Sequence, residues 1–312
     1  MRWSADGLIA VTGASGRLGS RLAFRLAAEG AHQRLVLRDR SRAPRLGDGR
    51  PLPECEVAVA DGYEDAAGMR AAFEGARTVF LVSARESADR VALHTATIDA
   101  AVAAGVERLV YISFVGAAPD ATFTFARDHW ATEQHLRRSG LRWTVLRDNL
   151  YHQSLASFVG ADDVIRGPAG DGRVASVAHD DVADVATAVL LDEDPRRHDG
   201  VTYDVTGPIA LSLTQVAALL TLATGRQITY HDETLDEAYA SRAGLGASDV
   251  ELAGWVSSYT AIAAGELAHV SPDVSRLVGR PARSFEQWLD DYPFEWEHLL
   301  RGPGGGPSGS AR

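Results

Sequence analysis

Residues 8–26 read LIAVTGASGRLGSRLAFRL: a short apolar run, a glycine-punctuated turn, then leucines at 18, 22 and 26 on one helical face. This strand–turn–helix constrains the chain more than any other stretch. Gly13, Gly16 and Gly19 stand in a GxxGxxG arrangement, where missing side chains permit a tight turn and a close approach of backbone to a pyrophosphate. The helix that follows offers unpaired N–H groups and the positive end of its dipole. A glycine triplet alone is weak evidence. With a strand before it and an amphipathic helix after it, the signal becomes strong.

The same alternation continues. RLVLRDR, CEVAVADG, TVFLVSA, RLVYISFVGA and LRWTVLRDN read as further strands. Between them lie helices carrying Met69 and Phe73, then Val91, Ile98 and Val102, then His129 and Glu133. Strands alternating with helices of this length predict an α/β fold with a doubly wound parallel sheet. The expected nucleotide-binding domain covers residues 1–150, with its sheet completed by residues 174–207. Residues 151–300 are mostly expected to form a smaller, mainly helical substrate lobe. There Ser212 or Thr214 caps a helix that Gly225 stops. The tail RGPGGGPSGSAR, residues 301–312, lacks anything to bury and is expected to be disordered.

At the end of the second strand stand Arg38 and Asp39. Asp39 has the spacing to hydrogen-bond an adenosine ribose, which suits NAD(H). Arg38 and Arg17 suit the 2′-phosphate of NADP(H), because guanidinium groups bind phosphate bidentately. Two arginines against one acid favour NADP(H). Asp61 after the third strand suits either an adenine amino group or a loop cap.

The net charge of −11 argues against nucleic acid as a direct partner. The single Cys55 excludes an internal disulfide framework. No run approaches a membrane span and no signal pattern opens the chain, so a cytoplasmic protein is expected, with no membrane partner. No metal site is expected, because no HxH, HxxxH or paired-cysteine spacing occurs; His179 before Asp180-Asp181 reads as a helix cap. A Ser-His-Asp hydrolase is disfavoured by the lack of a GxSxG elbow.

The segments VTGASGRLG, RLVYISFVGA, HWATEQHLRRSGLRWTVLRDNLY, GRVASVAHDDVADVA and GELAHVSPDVSRLVGRPARSFEQWL occur in this order. In them the chain resembles the NmrA-like atypical short-chain dehydrogenase/reductases, especially their NADPH:quinone oxidoreductase and triphenylmethane reductase branch. The resemblance implies a Rossmann domain that binds NAD(P). It implies cofactor positions at Gly13, Ser15, Gly16, Arg17, Leu18, Gly19, Arg38, Asp61, Ser83 and Ser113. Asn149 and Tyr151 fall near the nicotinamide and the substrate. A homodimer is the other association considered.

The departures from the wider superfamily are as informative. Its standard reductases use Ser, Tyr and Lys, the Tyr giving a proton and the Lys lowering its pKa. Here Phe125 stands at the Tyr place, His129 at the Lys place, and Ser113 or Phe114 at the Ser place. All 31 residues counted as Lys or Arg are Arg. Without a phenol donor, the acceptor must yield a weakly basic oxyanion, such as a hydroquinone of pKa roughly 10 by analogy with Tyr. The expected reaction is therefore NADPH-dependent reduction of a small conjugated acceptor, with His129, Tyr151 and Asn149 as candidate catalytic donors. His129 is either such a donor, its unperturbed pKa near about 6.5, or a surface histidine. Trp130, Phe158, Trp255 and Tyr259 suggest an apolar slot or ordinary core. A non-catalytic NADP(H)-binding sensor acting through a protein partner is the alternative.

Overall fold

Seven parallel strands carry the first of two units in this computed structural model, which describes residues 7–300. They are β1 (Leu8–Val11), β2 (Gln33–Leu37), β3 (Cys55–Val59), β4 (Ala76–Leu81), β5 (Arg108–Phe114), β6 (Arg142–Asp148) and β9 (Val201–Val205). Their order is β3-β2-β1-β4-β5-β6-β9, every neighbouring pair parallel. A parallel sheet needs helices on both faces, and all seven residues of β5 are buried. One face holds Val36, Val79, Leu109, Tyr111 and Val145 in a core with α2 (Ala66–Phe73), α3 (Arg90–Ala103) and α4 (Thr124–Arg138). The alternate residues Leu35, Phe80, Val110 and Leu146 are equally buried, so the other face is covered too.

Helix α1 (Arg17–Ala28) packs against α6 (His179–Leu190). Asp180 and Asp181 do not cap α6, as the sequence suggested; they lie within its first turn, where the helix dipole favours acids. Arg21 and Arg25 of α1 pair with Asp180 at 2.9 and 2.8 Å, and Arg280 pairs with Asp181 at 2.8 Å. Arg280 follows α10 (Asp273–Val278), whose Asp273 carboxylate accepts the Asp204 N–H of β9 at 3.0 Å. Residues 271–281 thus belong to the first unit, not to the C-terminal lobe. Of the expected completing segment 174–207, only β9 joins the large sheet.

The second unit comprises residues 149–178, 206–270 and 282–300 of the described chain. Its helices are α5 (His152–Ser157), α7 (Leu213–Thr224), α8 (Leu235–Arg242), α9 (Asp249–Ala263), α11 (Phe285–Asp291) and α12 (Pro293–Trp296). Two small sheets accompany them: β7 (Val164–Gly167) with β11 (Thr229–Asp232), and β8 (Arg173–Val174) with β10 (Leu211–Ser212). Ser212 caps α7 in a reciprocal box with Gln215, and Gly225 ends it at φ 71°, as the sequence predicts. The predicted disorder of 301–312 lies outside the described residues. Among those described, no helix is long and apolar enough to cross a membrane.

Helix α3 departs from its predicted stripe. Ile98 is buried, but Val91 is half-buried and Val102 exposed, and the inward face runs through His94 and Thr97. Polar residues also line α4, where the fully buried Glu133 accepts Ser113 Oγ–H at 2.7 Å and two Arg147 N–H groups at 2.8 Å each. This cluster pins α4 to β5 and β6. Truncating one partner leaves buried charge uncompensated, so Glu133→Ala should destabilise the protein by about 3 kcal/mol. Removing the exposed Glu107 that pairs with Arg77 should cost less than about 1 kcal/mol. Urea denaturation of the two variants tests the contrast; similar small losses would deny α4 this anchor.

Candidate functional site

The strand order reverses between β1 and β4, and ligands of open α/β sheets bind beyond the carboxyl ends at such a point. The glycine loop sits there, and its three glycines do different work. Gly13 has φ 59°, and an added Cβ would lie 3.2 Å from Val82 Cβ. At Gly19 a Cβ would sit 2.3 Å from the Gly13 carbonyl oxygen, so α1 approaches the loop only because this residue lacks one. Gly16 caps α1 without a side-chain acceptor, and no acid occupies the first turn. The helix N–H groups and dipole are left for an anion, which a pyrophosphate fits.

Thr12 and Tyr63 brace this loop. Thr12 Oγ1 accepts the Val82 N–H at 3.0 Å and lies 2.8 Å from Tyr63 Oη, which donates to the Val82 carbonyl at 2.6 Å. Burial pushes the Tyr63 phenol up to about 12. The carboxyl ends of β1 and β4 are thereby tied together through side chains that the sequence reading passed over.

Arg38, immediately after β2, is exposed. Asp39 beside it is occupied: one carboxylate oxygen accepts both the Ser41 N–H at 2.9 Å and the Ser41 hydroxyl at 2.7 Å. Those bonds hold the carboxyl below its ordinary range. Asp61 is not a cap; Asp65 caps α2, and its other oxygen receives the Asp61 N–H at 3.2 Å. The Asp61 side chain is exposed after β3, and Ser83 is half-buried after β4. Gly13, Arg38, Asp61 and Ser83 thus follow the carboxyl ends of four successive sheet neighbours.

Phe125 and His129 share the inner face of α4, both buried. His129 is no surface histidine. Its Nδ1 lies 2.8 Å from Tyr111 Oη, and its ring stacks on Phe114 at 6.2 Å. Burial, with Arg90 and Arg147 adding like charge, holds it well below the usual histidine value, so it is neutral near pH 7. Ser113 spends its hydroxyl on Glu133. Sequence reading missed His94 and Tyr111; the one available signal was His94 at i, i+4 and i+7 from Ile98 and Ala101 on the buried face of α3.

In the second unit, Asn149 is buried with both ends of its amide engaged. Nδ2 donates to the Leu267 carbonyl at 3.0 Å and Oδ1 accepts the Leu150 N–H at 2.8 Å. Tyr151 precedes α5 and is half-buried. Tyr259 is core, its ring 5.0 Å from that of Phe158 and beneath Arg242. Trp255 is half-buried on the same helix, and Trp130, on α4 of the first unit, is also half-buried.

A reversed parallel sheet with an uncapped helix at its switch point defines a Rossmann-type dinucleotide-binding protein. The chain matches the NAD(P)H-binding family over residues 13–193 and belongs to it, as an NmrA-like atypical short-chain dehydrogenase/reductase. It is 31% identical to quinone oxidoreductase 2 of Escherichia coli (strain K12), covering 90% of this chain and 96% of that protein. An NAD(P)H azoreductase of Xenophilus azovorans is likewise 31% identical, with the same coverage of each. The crystal structure of NADPH-dependent quinone oxidoreductase QOR2 from E. coli, complexed with NADPH, superposes with a TM-score of 0.79 at 30% identity. It covers 91% of this chain and 99% of that one.

The glycine geometry predicts two distinguishable failures. Gly16→Val should fold yet lose NADP(H) binding in calorimetry, because its side chain takes the pyrophosphate's space. Gly19→Val should fail to fold or melt far lower, since backbone lies where its Cβ must go. A stable Gly16→Val protein with undiminished affinity would remove this loop from the site.

Proposed function

We propose that this protein is an NADPH-dependent reductase of quinone-like and other conjugated acceptors. The observation that carries the reading is Phe125 where a phenol donor would stand, beside a buried neutral imidazole at His129. The names of the quinone and azo reductases, each 31% identical over most of their length, support the same class. When bound, reduced nicotinamide supplies a hydride. The chain's own residues bind, orient and exclude water. Gly13, Ser15, Gly16, Arg17, Leu18 and Gly19 receive the pyrophosphate, Asp61 the adenine, and Ser83 and Ser113 support the cofactor side.

Such a site selects by basicity. A ketone needs a proton as its alkoxide forms, and no side chain with a matched pKa stands ready. A reduced quinone, with a pKa of roughly 10, holds its charge long enough to take a proton from water. In the first unit His129 offers a neutral hydrogen bond; in the second, taken by itself, Tyr151 is a candidate donor and Asn149 holds the backbone beside it.

Purified protein should consume NADPH, read at its absorbance band, with small quinones but not with an unactivated ketone. Phe125→Tyr should not confer ketone reduction, because no lysine is present to lower the new phenol's pKa from about 10. Tight NADPH binding without turnover of any quinone or dye would defeat the reductase reading and leave the sensor standing.

The exposed Arg38, next to an Asp39 with one oxygen held by Ser41, supports preference for the 2′-phosphate. Arg38→Ala should weaken NADPH binding by roughly 1.5–3 kcal/mol, as for a hydrogen bond to a charged group, while hardly changing NADH. Equal calorimetric losses for both cofactors would assign Arg38 to adenine stacking instead.

A further inference from the structure

A chain of buried polar groups runs from the loop after β4 to the candidate catalytic histidine, all within the first unit. The Ala84 N–H, next to Ser83, donates to His94 Nε2 at 2.7 Å. His94 Nδ1 lies 2.9 Å from Thr132 Oγ1 and 3.3 Å from Tyr111 Oη. Tyr111 Oη then lies 2.8 Å from His129 Nδ1. His94, Tyr111 and Thr132 are each fully buried, and His129 is 4% exposed.

The directions of these bonds follow from one obligatory donor. A backbone N–H can only donate, so His94 Nε2 presents its lone pair and a neutral ring must carry its proton on Nδ1. Burial, with Arg90 adding like charge, lowers the His94 pKa to about 3 and keeps the ring neutral. The Nδ1–H points to Thr132 Oγ1, whose own hydroxyl proton is used on the Asp128 carbonyl at 2.9 Å. Tyr111 Oη meets a donor at His94, and His129 Nδ1, at 2.8 Å, is its nearest acceptor and receives its proton. That places the remaining imidazole proton of His129 on Nε2. Among the described residues that Nε2 has no hydrogen-bond partner, and it is not sealed from solvent.

We propose that His94 and Tyr111 are positioning residues: they hold His129 in a single neutral tautomer whose Nε2–H serves as a fixed hydrogen-bond donor to bound cofactor or acceptor. The proposal rests on the reductase reading for that donor's use, but not for the tautomer itself. The relay begins at the backbone beside Ser83, so one chain of bonds orients both the cofactor-side loop and the imidazole. A Lys in place of His129 would bring a charge; this arrangement supplies direction without one. The groups that face His129 are Tyr111 from β5, His94 and Arg90 from α3, and Arg147 from β6.

The test is a long-range proton–nitrogen NMR spectrum of protein labelled at its ten histidines, without ligand, at pH 7.5. His129 and His94 are assigned by the signals missing from His129→Gln and His94→Asn. The expected result is His129 protonated on Nε2 alone and His94 on Nδ1 alone. In Tyr111→Phe, which keeps the ring and loses only the hydroxyl, His129 should become a mixture of both neutral tautomers. An Nδ1–H tautomer or an imidazolium at His129 in the wild type would overturn the proposal, as would an unchanged His129 in Tyr111→Phe. On the kinetic side, Tyr111→Phe should lower quinone turnover about two- to tenfold, the worth of one neutral hydrogen bond. His129→Gln, which retains an N–H donor, should keep turnover that His129→Phe loses; equal loss in both would count against a donor role. Should no acceptor be turned over, the reductase reading fails while the tautomer result still decides the relay.

Discussion

The contact between α1 and the end of β1 is the constraint on which this structure turns. It exists because Gly19 has no side chain to collide with the Gly13 carbonyl. Once α1 is seated there, its uncapped N-terminus points at the place where the strand order reverses. The Arg21 and Arg25 side chains then reach α6, and Asp180 gives that contact a fixed register. Thr12 and Tyr63 tie the same loop to β4. An anion site formed in this way requires no lysine, because its positive potential comes from backbone N–H groups and the helix dipole.

On the α2–α4 face, the sheet is covered by helices whose inner surfaces are partly polar. An unpaired buried polar group costs on the order of 1–3 kcal/mol, so such a surface is tolerable only when the bonds close on themselves. Here they close in two adjoining systems. Glu133, Arg147 and Ser113 form a charged one that anchors α4. His94, Thr132, Tyr111 and His129 form a neutral one that leaves a single imidazole nitrogen without a protein partner among the described residues. A charged anchor and a neutral hydrogen-bond chain thus stand on neighbouring residues of one helix. Asn149 does comparable structural work in the second unit, where its amide spans two backbone segments.

Phe125, which the resemblance sets at the phenol position, bears under the proposed function on the substrate rather than on the fold. Phe125 packs its ring at 88° to Phe123 and beneath Arg90, so the position is filled core, not a gap awaiting a donor. The chemistry available is then set by what the acceptor can do unaided. Conjugated acceptors delocalise the charge delivered with the hydride, and the relatives reported above carry the names of a quinone oxidoreductase and an azoreductase.

What the sequence determined by itself was local: the glycine loop, the alternation of strands and helices, the Ser212 and Gly225 boundaries of α7, and the missing Tyr–Lys pair. Each depends on the chemistry of a few adjacent residues, so no partner had to be known. Tertiary structure decided everything that depends on pairing across the chain. Asp39 read only as a ribose ligand until Ser41 was found on one of its oxygens, and Asp180 and Asp181 looked like caps until Arg21, Arg25 and Arg280 met them. Residues 271–281 looked like lobe until Asp273 closed on β9. His129 read equally well as surface or site, because a histidine's burial depends on whether something distant satisfies its nitrogen. Tyr111 does so, eighteen residues earlier on a neighbouring strand, and no spacing rule reports such a bond.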